Sequence, residues 1–160
     1  ALGRGLDDAT AIAISKNGAN AYVASSASDA VAVFRRDAKT GGLEQLTGTD
    51  GCVSASGSGG ACATGRALDG AIAVAITSDG HNVYAAAAIS NAVAIFARNS
   101  KTGALSQLPG SAGCASEDPQ CTTVSGLFDA RGLALPSNGK HVYVAASTSG
   151  AVSALLRATR

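Results

Sequence analysis

Internal repetition is the strongest constraint on what this chain can fold into. The stretch Asn17-Gly18-Ala19-Asn20-Ala21-Tyr22-Val23-Ala24 returns as Asp79-Gly80-His81-Asn82-Val83-Tyr84-Ala85-Ala86, and again as Asn138-Gly139-Lys140-His141-Val142-Tyr143-Val144-Ala145. The three tyrosines lie 62 and then 59 residues apart. Other landmarks keep step. Ala30-Val31-Ala32-Val33-Phe34 recurs as Ala92-Val93-Ala94-Ile95-Phe96 and, more weakly, as Ala151-Val152-Ser153-Ala154-Leu155. Lys39-Thr40-Gly41-Gly42-Leu43-Glu44-Gln45-Leu46 recurs as Lys101-Thr102-Gly103-Ala104-Leu105-Ser106-Gln107-Leu108. The chain is a tandem array.

Each repeat reads as four strands. The first (Thr10 to Ser15, Ile72 to Thr77, Gly132 to Leu135) alternates Ala with Ile or Val, leaving both faces apolar, as in a strand buried between packed sheets. The Asn-Gly or Asp-Gly pair that follows favours a tight hairpin turn. Next come the tyrosine strand, a turn at Ser25 to Asp29, Ala87 to Asn91 or Ser147 to Gly150, and a third strand ending at Phe34 or Phe96. A fourth strand falls at Leu43 to Leu46 and Leu105 to Leu108. Repeated four-stranded antiparallel sheets with Gly-rich turns are the blades of a β-propeller. The expected fold class is all-β, with residues 1–160 as a single propeller segment. Its repeats fall at about 7–68, 69–128 and 129–160, the last without its fourth strand. Closed propellers have about four to eight blades. About three successive blades make an incomplete ring, so the expected partners are further blades, from a longer chain or from identical copies.

The run (Asp/Asn)-Gly-x-x-(Val/Ala)-Tyr-(Val/Ala)-Ala, with Ala-Val-Ala-(Val/Ile)-Phe and Thr-Gly-x-Leu-x-Gln-Leu, resembles the bacterial YVTN-type, lactonase-like β-propeller family. Within it the chain is most similar to secreted members whose blades carry a Gly-Cys insertion after the fourth strand. The resemblance implies hydrolysis of a sugar lactone at the central channel by convergent acidic, basic or His side chains, with a metal in some members.

The four cysteines form two pairs at matching positions. Cys52 and Cys114 each follow a Gly and keep the 62-residue period, whereas Cys62 and Cys121 are 59 apart. Loop length varies while the pairing persists, which points to disulfides Cys52–Cys62 and Cys114–Cys121. Zinc would require two-residue spacings and neighbouring His, and neither occurs. Disulfides place the chain in an oxidising compartment: secreted, cell-surface or periplasmic.

Lys and Arg number 12 against 11 Asp and Glu, aromatics make up 4%, and Trp is absent. That balance excludes the basic footprint of a nucleic-acid binder and an aromatic stacking platform. No apolar run approaches the roughly 18 residues of a membrane-spanning helix.

Candidate site residues are few. His81 and His141 flank the same hairpin turn in successive repeats, one position out of step, and read as exposed turn residues without a partner nucleophile. Asp7, Asp69 and Asp129 each follow Leu or Phe just before a first strand. Equivalent positions in a propeller surround its axis, so these three are the candidate ligands of a Ca²⁺ ion. The competing reading is an Asx-type turn, which a residue recurring in every repeat favours. Arg4, Arg66 and Arg131 lie nearby. The loops Ser54 to Gly60 and Asp118 to Gln120 differ between repeats, where a scaffold places its specificity. No cofactor other than Ca²⁺ is expected, and no phosphate-binding motif occurs. From the residues alone the expectation is a secreted, non-catalytic binding or self-assembly module, the alternative being part of a lactonase-like hydrolase.

Overall fold

A computed structural model of the protein describes residues 3–157, which form three sheets in chain order. Blade 1 contains β1 (Ala9–Ile14), β2 (Asn20–Ser25), β3 (Ala30–Arg36), β4 (Leu43–Gln45), β5 (Cys52–Ser54) and β6 (Ala63–Thr64). Blade 2 repeats it with β7 (Ala71–Ile76), β8 (Asn82–Ala87), β9 (Ala92–Arg98), β10 (Leu105–Gln107), β11 (Cys114–Ser116) and β12 (Thr122–Thr123). Blade 3 has β13 (Ala130–Ala134), β14 (His141–Ala146) and β15 (Ala151–Leu156). The fold is all-β, of propeller-blade type.

The outer edge of each complete blade is more elaborate than a single fourth strand. β4 pairs with the C-terminal half of β3, and β5 with its N-terminal half; β6 runs parallel to β5. Blade 2 repeats this arrangement. The Cys-bearing segments, expected as projecting loops, therefore begin as buried strands, β5 between β3 and β6 and β11 between β9 and β12. The preceding glycine makes this possible. A Cβ on Gly51 or Gly113 would overlap the carbonyl oxygen of Leu46 or Leu108. Both expected disulfides are formed, Cys52–Cys62 and Cys114–Cys121, and no described cysteine is free.

The apolar alternation resolves into two cores lying between blades. The first joins Tyr22, Ala24, Val31 and Val33 of blade 1 to Val74, Val83, Ala94 and Phe96 of blade 2. The second joins Tyr84, Val93 and Ile95 of blade 2 to Val142, Val144 and Leu155 of blade 3. Leu68 and Leu127, on the segments crossing from one blade to the next, are fully buried in these cores. Burying such a side chain contributes about 1.5–3 kcal/mol. Each first strand carries a one-residue bulge, at Thr10, Ile72 and Arg131. Neighbouring first strands pack directly together, and Thr10 Oγ1 donates to the Ile72 carbonyl at 2.9 Å. They are the inner strands, nearest the axis.

Candidate functional site

A densely connected polar group among the described residues forms a blade joint. Arg98, at the end of β9, is 4% exposed. Its Nε donates to the Tyr22 hydroxyl at 2.6 Å, Nη2 to Asn20 Oδ1 at 2.7 Å and Nη1 to the Gly80 carbonyl at 3.1 Å. The Tyr22 hydroxyl in turn donates to the Gly103 carbonyl at 2.9 Å, and Asn20 Nδ2 to the Thr102 carbonyl at 3.2 Å. No carboxylate among the described residues pairs with Arg98. Its charge is held by dipoles alone, which is tolerable because each of its three nitrogens has a hydrogen-bond acceptor. Burial pushes the Tyr22 phenol up, and the adjacent guanidinium partly offsets this.

The joint explains two repeated motifs. Asn-x-Tyr on the second strand reaches forward to the next blade. The Thr-Gly turn of that blade receives it, and Gly103, at φ 86°, has no room for a side chain because a Cβ would overlap the Asn20 carboxamide. At Gly41, the same turn in blade 1, a Cβ would meet nothing within 4 Å.

The second joint differs. Arg157 reaches back to Asn82 Oδ1 at 2.9 Å and to the Asp79 carboxylate at 2.6 Å. Burial works against the Asp79 charge, but hydrogen bonds from Arg157, Thr77 and the His81 amide, with the Arg157 charge, hold its pKa far below the usual carboxylate range. Tyr84 is buried, yet its hydroxyl has no partner among the described residues. The arginine series Arg36, Arg98, Arg157 is spaced 62 and 59 residues apart, the same steps as the tyrosines. That shared step is legible in the sequence, carried by a residue type that is neither acid nor histidine.

A second device steers the chain between blades. Gln107 accepts from the Arg66 amide at 2.9 Å and donates to the Arg66 and Gly113 carbonyls, both at 2.9 Å. Gln45 holds Arg4 and Gly51 in the same way. Further along, Asp29 Oδ1 takes the Gly70 amide at 2.6 Å, and Asn91 Oδ1 takes the Asp129 amide at 2.7 Å. Arg4 and Arg66 are thus backbone latches at the outer edge.

The expected aspartate series does not survive in register. The Asp7 and Asp69 amides donate to Ser28 and Ser90 hydroxyls, and the equivalent amide in blade 3 is that of Phe128, donating to Ser149. Asp129 corresponds instead to Asp8. Both accept from the serine that opens the next turn, Ser147 and Ser26, and both adopt positive φ. Leu127, not Phe128, is the buried counterpart of Leu68, so Phe128 takes the position of Asp7 and Asp69, and Asp129 follows one residue later. Asp7 and Asp69 are exposed, and no side-chain-to-backbone turn bond from either occurs among the described residues. Asp129 accepts from Arg131 Nε at 2.8 Å and from Ser147, which lowers its pKa. These three carboxylates do not fit a shared Ca²⁺, and no group of three or more His, Cys, Asp or Glu poised for a metal exists among the described residues.

Arg131 is the single charged residue on the three inner strands β1, β7 and β13. It is exposed and sits on the bulge. His81 lies exposed in its turn, whereas His141 occupies the Asn position of the Asn-x-Tyr motif, 6.2 Å from the Tyr143 ring. A shallow cleft of about 190 Å³ opens between Asn91, Glu117, Asp118 and Phe128, beside the second disulfide loop.

No family model matches this sequence, and no curated protein matches it. Solved structures do. The chain is similar to a putative 6-phosphogluconolactonase from Bacteroides uniformis, at 24% identity and TM-score 0.65 over 92% of this chain and 35% of that one. It is also similar to a putative 6-phosphogluconolactonase from Bacteroides fragilis, at 22% and 0.66 over 92% and 34%. A third is the periplasmic gluconolactonase of Pseudomonas aeruginosa, at 19% and 0.57 over 85% and 33%. The chain spans about a third of the length of these proteins. It has the lactonase-type propeller fold.

Proposed function

We propose that this chain is a three-blade sector of a YVTN-type, lactonase-like propeller working outside the cytoplasm, and that the complete ring opens a sugar lactone at its axial channel. The observation that carries the reading is the shared fold, over 92% of the chain, with propellers named as 6-phosphogluconolactonases. The two disulfides support an oxidising compartment.

Opening a lactone adds water to the carbonyl carbon and breaks the ring C–O bond, giving the hydroxy acid. Negative charge builds on the carbonyl oxygen, and a fixed guanidinium stabilises it. Arg131 is this sector's charged contribution to the channel wall. Asp129 is committed to Arg131 and Ser147 and holds the guanidinium in place; it is a positioning residue. A non-catalytic binding and assembly module is the second reading. It is favoured by inner strands that otherwise carry only Ala, Ile, Val, Leu, Gly and Thr.

Consumption of gluconolactone and 6-phosphogluconolactone by the closed propeller that contains this sector, followed by pH-stat, tests the proposal. The expected result is a rate well above buffer that falls at least tenfold in Arg131→Ala, with circular dichroism unchanged. Buffer-level rates on both lactones would leave the second reading.

A further inference from the structure

The two joints inside the sector neutralise their arginines differently. Arg157 meets two groups of blade 2, the Asn82 carboxamide at 2.9 Å and, through Nη1, the Asp79 carboxylate at 2.6 Å. Arg98 is its counterpart one blade earlier, and at the position of Asp79 blade 1 carries Asn17. Both residues brace the same turn. Asn17 Oδ1 accepts from the Ser15 hydroxyl at 2.7 Å and the Ala19 amide at 3.2 Å. Asp79 Oδ1 accepts from the Thr77 hydroxyl at 2.7 Å and the His81 amide at 3.0 Å. The other terminal atom differs in kind. Where Asp79 gives Oδ2 to Arg157, Asn17 has Nδ2, a donor that makes no hydrogen bond among the described residues.

A groove of about 380 Å³ lies here between the first hairpin turns of blades 1 and 2, bordered by Lys16, Asn17, Gly80, Arg98 and Ser100. Arg98 is buried and has five N–H donors, three of which go to Tyr22, Asn20 and Gly80. One N–H on each of Nη1 and Nη2 is left over. Lys16 is exposed and has no carboxylate partner among the described residues. Asp79 also borders the groove, but its carboxylate is committed to Arg157, Thr77 and the His81 amide. Two positive charges and an unused amide donor thus converge where the chain places no free acceptor.

We propose that this groove binds the carboxylate of a small organic acid, which takes at the first joint the place that Asp79 takes at the second. Its oxygens accept from Arg98 Nη1 and Asn17 Nδ2, and Lys16 supplies the second positive charge. Charge-assisted bonds of this kind are about twice as strong as neutral ones. A carboxylate fits the groove because the chain itself uses one at the equivalent point of the next joint. The site sits at the turns that follow β1 and β7, not on those inner strands, and stands apart from the lactonase reading. Carboxylate binding without lactone hydrolysis leaves it intact.

Broadening of the carboxyl resonance of isotope-labelled acetate by the closed propeller that contains this sector, at constant ionic strength set with chloride, tests it. The expected binding is saturable, with Kd on the order of a millimolar. Asn17→Asp supplies the chain's own carboxylate, as blade 2 does, and should weaken acetate binding roughly tenfold or more while holding or raising Tm. Lys16→Ala should weaken it a few-fold with Tm unchanged. Broadening that does not saturate, or binding undiminished in Asn17→Asp, would overturn the site. A fall in Tm in Asn17→Asp would contradict the equivalence of the two joints on which the site rests. Displacement of acetate by inorganic phosphate at a much lower concentration would overturn the choice of a carboxylate.

Discussion

Tyr22 and Tyr84 occupy the same position in successive blades and are equally buried, yet removing their hydroxyls should have opposite consequences. In Tyr22→Phe, Arg98 Nε loses its 2.6 Å acceptor and the Gly103 carbonyl loses its 2.9 Å donor. A hydrogen bond to a charged group contributes about 1.5–3 kcal/mol, and a buried donor left without a partner costs a similar amount. The expected destabilisation is about 2–3 kcal/mol, which for a chain of this size lowers Tm by about 5–10 °C. In Tyr84→Phe the deleted hydroxyl has no partner among the described residues. Replacing an unsatisfied buried hydroxyl by hydrogen is neutral or stabilising by up to about 1 kcal/mol. Urea titrations of both variants against wild type measure the difference. Equal losses in the two variants would refute the reasoning, because they would mean that ring packing, not the Arg98 bond, sets the value of this position.

Gly103→Ala should cost about 3 kcal/mol or more, because it adds overlap with Asn20 to the strain of positive φ, whereas Gly41→Ala should cost only the strain, about 1–2 kcal/mol. Paired denaturation curves distinguish the two. Replacing Cys52 and Cys62 by Ser, or Cys114 and Cys121 by Ser, should each remove about 2–3 kcal/mol by loop entropy, read as a fall in the urea midpoint. Asp79 is ionised at lower pH in the folded chain than in the unfolded one, so its contribution is present above a pH of about 4 and is lost as pH falls below that. With the carboxylate partly exposed, solvent screening keeps that contribution to about 1 kcal/mol or less. Asp79→Asn, which reproduces Asn17 of blade 1, should flatten stability against acid while keeping the turn, measured as Tm between pH 6 and pH 3.

Much of the fold was legible because repetition multiplies weak signals. One Ala-Ile alternation is ambiguous; three in register, each followed by Asn-Gly or Asp-Gly and a tyrosine strand, define a blade. The disulfides were legible for the same reason, since Gly51-Cys52 and Gly113-Cys114 share the repeat step. Less visible was where the cysteines sit. Short strands such as β5 and β11 form only because a disulfide and a side-chain-free glycine press them against β3 and β9, and three residues carry no periodicity. The Asp7, Asp69 and Asp129 series failed for a different cause. An apolar residue before an Asp is a poor guide where Leu127-Phe128 offers two, and hydrogen bonding to Ser28, Ser90 and Ser149 fixes the true register. The Arg98 joint was hidden because it links residues 76 and 78 positions apart. Its sequence trace, an arginine keeping step with a tyrosine, gains meaning only when neighbouring blades face each other.

Hydrogen exchange at the Arg98 side chain tests most directly the claim that a buried arginine locks blade to blade. In the folded chain its Nε–H points at the Tyr22 hydroxyl inside a closed joint. Proton–nitrogen spectra should show this resonance at neutral pH, with exchange slowed on the order of a hundredfold or more relative to the exposed Arg35, and the protection should vanish in Tyr22→Phe. An Arg98 Nε–H that exchanges as fast as that of Arg35 would contradict the joint and the register on which the stacking of the three blades rests.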